Sequence, residues 1–127
     1  FKAAGRKTRS DRSWDLLFNE ISNNDSSFYY CTDKKGVMVG GSFIMKNDFE
    51  AVYAVAAYDR ELFNLPIGHF LQDFIIQDLL QTNKKWYRLG RKFHEMDMDS
   101  PSNKEIQIGK FKSGFSTELI ANFKFSL

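Results

Sequence analysis

The sequence predicts an α+β domain: a mixed sheet in which an antiparallel meander runs into a β-α-β unit, with helices packed on the sheet. Three observations predict it. Three β-rich segments lie close together, separated only by short polar turns at Asp33-Lys34-Lys35-Gly36 and Lys46-Asn47-Asp48. A helical pattern then separates the third of them from a fourth, Trp86–Gly90, and a strand-helix-strand order implies parallel pairing. Finally, 127 residues with 43% hydrophobic and 16% aromatic content suffice for one well-filled core.

Each element has its own signal. Ser10 is placed to cap a helix whose Trp14, Leu17, Phe18 and Ile21 recur at i, i+3, i+4 and i+7. Asn23-Asn24-Asp25 ends it. Strands follow over Phe28–Thr32, Val37–Met45 and Val52–Tyr58. The last of these shows no polar alternation, so it is expected to be covered on both faces and to lie centrally. Asp59–Leu65 is a loop, and Pro66 suits the first turn of the next helix. On that helix Phe70, Leu71, Phe74, Ile75 and Leu79 are expected to share the buried face, with Gln72, Asp73, Gln77 and Gln81 opposite. A polar loop, Arg91–Pro101, leads to a capping box at Ser102 and Glu105, and Ile108, Phe111 and Phe115 supply the apolar spacing of a short third helix. A closing strand is expected over Glu118–Phe125.

Composition excludes several classes. Eighteen basic residues against sixteen acidic ones leave a net charge of +2, too balanced for a protein that coats nucleic acid. Five of the basic residues crowd into Lys2–Arg12 with only Asp11 to offset them. That arm reads first as solvated chain and second as an anion- or RNA-attracting segment. The lone Cys31 forms no internal disulfide and builds no thiolate metal site, which points to a reducing, cytoplasmic compartment. His94, Glu95, Asp97 and Asp99 are too scattered for a metal centre, so no metal is expected. No apolar run approaches a membrane span. The chain is read as one domain over residues 1–127, a fragment missing an N-terminal strand or helix, or a partner domain.

Gly40-Gly41, Ala54–Tyr58, Gly68-His69-Phe70-Leu71-Gln72, Trp86-Tyr87-Arg88-Leu89-Gly90 and above all Gly109-Lys110-Phe111-Lys112-Ser113-Gly114-Phe115 carry a resemblance. Together with the element order, they resemble the acyl-CoA N-acyltransferase fold of the GNAT superfamily, and within it the FemAB-like acyl and aminoacyl transferases. The last segment resembles that group's Phe-Lys-x-Gly-Phe-Gly signature. The sequence departs from the pattern at Ser116, where the group has a second Gly, and at Arg88, where it has an acidic residue.

The resemblance implies transfer of an acyl or aminoacyl group from an activated ester or thioester to a substrate amine, with no permanently bound cofactor. The co-substrate is acyl-CoA or an aminoacyl-tRNA. It further implies that backbone N–H groups around Val55, Ala56, Ala57 and Tyr58 face the acyl carbonyl, and that Lys112 sits near the donor with Phe111 walling its pocket. The alanines equally suit a sheet packed among large rings, and Lys112 equally suits a solvated helix face. Gly68 alone makes a poor pyrophosphate loop, which favours a donor other than acetyl-CoA. Asp59, directly after the central strand, and His69, in a first helical turn, are the candidate bases. Arg88 and Arg91 are candidates for a phosphate or carboxylate. Expected partners are the acyl donor and an amine acceptor, with tRNA and a second similar domain or a homodimer as further options. A binding or scaffold domain that keeps the fold without activity is the alternative.

Overall fold

The computed structural model describes residues 9–97, 99–121 and 123. The chain divides into two compact units, Phe1–Arg88 and Leu89–Leu127.

In the first unit, helix α1 (Asp11–Ser22) starts where Ser10 Oγ accepts the Ser13 N–H (3.2 Å) and stops at Asn24, whose φ of 64° no helix continues through. Strands β1 (Ser26–Thr32), β2 (Met38–Lys46) and β3 (Glu50–Tyr58) form the expected antiparallel meander. Its turns are closed by side chains. Asp33 Oδ1 accepts from Lys35 and Val37 N–H, and Asn47 Oδ1 accepts from Phe49 and Glu50 N–H. Helix α2 (Ile67–Leu80) then crosses to β4 (Trp86–Arg88), which pairs parallel to β3 through Glu50, Ala51 and Val52. The sheet order is β1-β2-β3-β4. This is the α+β class and mixed sheet that the element order predicts.

Three expectations need correction here. β3 is indeed flanked on both sides, but the more deeply buried strand is β2, where Gly40 through Ile44 are all buried. The reason is that β4 covers only the first third of β3. On α2, Leu71, Gln72, Ile75 and Leu79 are the buried residues, while Phe70 (65%) and Phe74 (57%) face solvent. The i, i+4, i+8 row of Leu71, Ile75 and Leu79 sets the inward direction, and Gln72 flanks that row. Its Oε1 accepts the Tyr87 hydroxyl at 3.0 Å, which satisfies the oxygen half of the buried amide. Pro66 sits at the N-cap rather than in the first turn. Ile44, Ala51, Leu71, Ile75 and Leu79 form the core on this face, ringed by Tyr29, Tyr53, Tyr58 and Tyr87.

In the second unit, α3 (Asn103–Ser113) begins at the predicted capping box: Ser102 Oγ accepts from Glu105 N–H, and the Glu105 carboxylate accepts the Ser102 N–H at 2.8 Å. Ile106 and Gly109 are its buried residues, in place of the expected Ile108, which is exposed. Gly109 lets the loop backbone at Lys92 and Phe93 approach closely, and that contact turns the helix away from the Ile108 stripe. No strand forms over residues 118–121 or at 123. Positions 122, 124 and 125 of the expected closing strand lie outside the described residues, as do Lys2, Arg6 and Lys7 of the basic arm.

Candidate functional site

The ladder between β2 and β3 is interrupted once. Val55 lies opposite Phe43 and Tyr53 opposite Ile44, which leaves Ala54 as an extra, unpartnered residue in β3. This is a β-bulge, and a bulge bends its strand and re-aims the residues beyond it. Past the bulge, Asp59 N–H donates to Val39 O at 2.8 Å. Because N–H groups in an antiparallel strand alternate sides, those of Val55 and Ala57 point the same way, toward β2. Those of Ala56 and Tyr58 therefore turn away from β2. On that side β4 reaches only to Val52, and no strand among the described residues pairs with 53–58.

The end of β3 past the bulge opens into a cleft of about 1150 Å³. Its floor is Gly40-Gly41 of β2 and Val55–Tyr58 of β3. Its walls come from α1 (Trp14, Leu17, Phe18) and from Phe28 and Phe43, and its rim is Asp15, Asp59, Arg60 and Glu61. Gly41 leaves the floor bare on the cleft side, while Gly40 makes room for the packing on the α2 side of the sheet. A Cβ on Gly40 would lie 2.9 Å from the Tyr58 ring, 3.0 Å from Ile67 and 3.1 Å from Cys31 Sγ, and one on Gly41 would lie 2.6 Å from the tip of Phe28. Tyr58 is anchored at its hydroxyl, 3.0 Å from the Tyr53 hydroxyl and 3.4 Å from Ser42 Oγ. Burial pushes the Tyr53 phenol well above the ordinary tyrosine range, so Tyr53 keeps its proton.

The structure thus brings together five of the residues singled out from sequence: Val55, Ala56, Ala57, Tyr58 and Asp59. Asp59 is half-buried, and its Oδ1 accepts the Glu61 N–H at 3.0 Å, capping the short 3-10 turn Arg60–Leu62. Gly68 and His69 occupy the first turn of α2, with His69 exposed, and neither lines the cleft. Arg88 is on β4 and is paired with Glu50 at 2.9 Å. Sequence alone missed the α1 wall, because an apolar stripe at helical spacing looks the same over a filled core as over a cleft. It also missed the bulge, since nothing in Tyr53-Ala54-Val55 marks one.

Three further candidates lie in the second unit. Arg91 is held by Asp97 and Asp99 and stacks over Phe93, with the ring centroid 4.5 Å away. Its charge is thereby offset, and the Asp97 carboxyl is held below its usual range, first by the His94 N–H it accepts and then by Arg91. Phe111 packs edge-on against Phe115, with centroids 5.3 Å apart. Lys112 is half-buried, and desolvation lowers its pKa. Among the described residues no group of three or more His, Cys, Asp or Glu is arranged to hold a metal ion, and no helix is long and apolar enough to cross a membrane.

Several solved acetyltransferases share this backbone. One described as a probable acetyltransferase superposes with a TM-score of 0.66 at 14% identity, covering 98% of this chain and 82% of its own. The ribosomal-protein-alanine N-acetyltransferase of Brucella melitensis biovar Abortus 2308 gives 0.65 at 9% identity, covering 94% and 83%. Glucosamine-6-phosphate N-acetyltransferase of Arabidopsis thaliana gives 0.61 at 13%, covering 94% and 81%. No protein-family model and no curated protein matches the sequence. At these identities the likeness is one of architecture, and its conclusion is that the chain shares the α+β fold of these acetyltransferases.

Proposed function

We propose that this protein is an N-acyltransferase of the FemAB-like kind, moving an acyl or aminoacyl group from acyl-CoA or an aminoacyl-tRNA to an amine seated in the cleft. The observation that carries this reading is the bulge at Ala54, beyond which the Ala56 and Tyr58 N–H groups turn away from β2 at the floor of the cleft. Fixed amides of that kind suit a developing oxyanion, and removing one such donor from known sites costs 10²–10³ in rate. Neighbours in structure named for the acetylation of a protein alanine and of glucosamine-6-phosphate support an amine acceptor.

In this reading the amine lone pair attacks the acyl carbonyl carbon. The C–N bond forms, the C–S or ester C–O bond breaks, and its electron pair leaves with the sulfur or oxygen. The proton given up by the amine ends on that leaving group. Asp59, on the cleft rim, is the group placed to hold the amine and receive its proton in passing. His69 is the competing base. Lys112 is assigned the electrostatic role near the donor that the signature Phe111-Lys112 implies. Transfer is direct. Cys31, against the Gly40 carbonyl at 3.7 Å, has a thiol pushed up by burial and is a poor nucleophile. A cytoplasmic location belongs to the same reading, and the single free cysteine supports it.

The test is transfer from acetyl-CoA and from charged tRNA to a panel of amines, followed by thiol release or by label on the amine. Lys112→Ala is expected to lower kcat by about 10–100-fold. Transfer from tRNA alone supports the FemAB-like reading, and transfer from CoA alone replaces it with an ordinary acetyltransferase. Transfer from neither donor leaves a binding domain.

A further inference from the structure

We propose that the cleft selects a small amine carried on an aromatic or branched apolar body, with the ammonium held at Asp59 and Asp15 and the body laid against α1. The inference rests on the acyl-transfer reading only for what happens to the amine after it binds. The recognition itself stands on the cleft, all of which lies within residues 14–61.

Shape and polarity come first. Trp14, Leu17 and Phe18 line one side and Phe28, Phe43 and Val55 the other, so a ligand inside meets hydrocarbon on two sides. Helix α1 has no fully buried residue, and Phe18 is 69% exposed. This apolar wall is therefore left for a ligand to cover. A polyhydroxylated acceptor such as an amino sugar would find few partners for its hydroxyls along these walls, and each unpaired one is costly to desolvate.

Charge comes second. Asp15, Asp59 and Glu61 stand against Arg60 at the rim, an excess of carboxylate in a chain whose overall charge is +2. Asp59 spends Oδ1 on the Glu61 amide and keeps Oδ2 for a ligand. The floor beside it includes Gly41 and Ala57, where little side chain stands between a ligand and the backbone. A cation near the rim with an apolar body behind it satisfies both halves of the cleft at once.

The experiment measures equilibrium binding to the full chain of phenethylamine, its uncharged analogue phenethyl alcohol, glucosamine, and a hexapeptide beginning with Phe. Phenethylamine is expected to bind at least about tenfold more tightly than glucosamine or the alcohol. Asp15→Asn and Asp59→Asn are each expected to weaken it by about threefold to tenfold. Phe18→Ser is expected to weaken it by a similar factor with an unchanged circular-dichroism spectrum, since Phe18 is exposed and its loss leaves no cavity. Equal or tighter binding of glucosamine, or indifference to both aspartate changes, overturns the proposal. So does a hexapeptide that binds tenfold more tightly than phenethylamine, which would make the acceptor a polypeptide. Phenethylamine that binds as expected but accepts no acyl group sinks the transferase reading and leaves this inference standing. Acyl transfer to glucosamine without phenethylamine binding does the reverse.

Discussion

The ammonium of Lys112 lies directly over Gly90: a Cβ at position 90 would stand 3.0 Å from Lys112 Nζ, and Gly90 itself has φ of +90°. The two facts act together. The backbone at 90 takes a conformation that side chains resist, and the space left there is where the half-buried lysine rests. Gly90→Ala should cost roughly 1–2 kcal/mol, most of it from the backbone, since Lys112 can swing aside. The pKa of Lys112, lowered by burial, should then move back up as the displaced side chain reaches water. Thermal unfolding and an NMR titration of Lys112 check the two halves. An unchanged titration would mean that the lysine is not seated on Gly90.

Gly40 and Gly41 are adjacent yet should respond differently. A methyl on Gly40 meets Tyr58, Ile67 and Cys31 at 2.9–3.1 Å, a ring of packed groups with no way out. A methyl on Gly41 meets only the far edge of the half-exposed Phe28. Gly40→Ala is expected to cost roughly 2–3 kcal/mol and Gly41→Ala under about 1 kcal/mol. Adding Phe28→Ala should relieve the second and leave the first untouched. Urea midpoints of the two single and two double variants decide it.

Asp59 caps the turn Arg60–Leu62 and lines the cleft, and two substitutions separate those roles. Asparagine keeps an oxygen for the Glu61 N–H and loses the charge, so Asp59→Asn should fold as well as the parent while, under the acyl-transfer proposal, raising the KM for the amine and lowering kcat. Asp59→Ala loses the cap too and should cost about 1 kcal/mol of stability besides. Equal melting temperatures for the two variants would show that the cap contributes nothing.

Stability should fall on the alkaline side. Burial, together with the hydrogen bond its hydroxyl donates to Asp78 at 2.6 Å, pushes the Tyr29 phenol up to about 12, and burial raises Tyr53 and Tyr87 as well. A phenol whose folded pKa exceeds its unfolded value of about 10 holds its proton longer in the native state. The unfolded chain then binds fewer protons, and stability declines with pH from about 10 upward. Below pH 10 the contribution is fully present. Denaturation midpoints at pH 9 and pH 11 should differ, and Tyr29→Phe should reduce the gap. Equal midpoints would contradict the burial of these rings.

Local signals account for much of the fold. Ser10 and the Ser102–Glu105 pair begin helices where their side chains satisfy the first free amides, and Asp33 and Asn47 close turns by the same chemistry. These are contacts within a few residues, so the sequence displays both partners. The rotation of α2 was less legible. Phe70 and Phe74 have the hydrophobicity of core residues, yet the direction of burial is set by the surface across the interface, where Tyr87 offers Gln72 a partner.

The sequence by itself determined the element order, the caps and turns, and the antiparallel meander followed by a parallel crossover, because side chains a few positions apart enforce each of these. It also set the residue types that end β3, from Val55 to Asp59. Only the tertiary structure decided that those residues floor a cleft. That outcome depends on a one-residue slip at Ala54, on β4 stopping at Val52, and on an α1 that shields the sheet without filling the space above it. Each is a relation between segments far apart along the chain, fixed by how whole faces fit, and no single residue carries its mark.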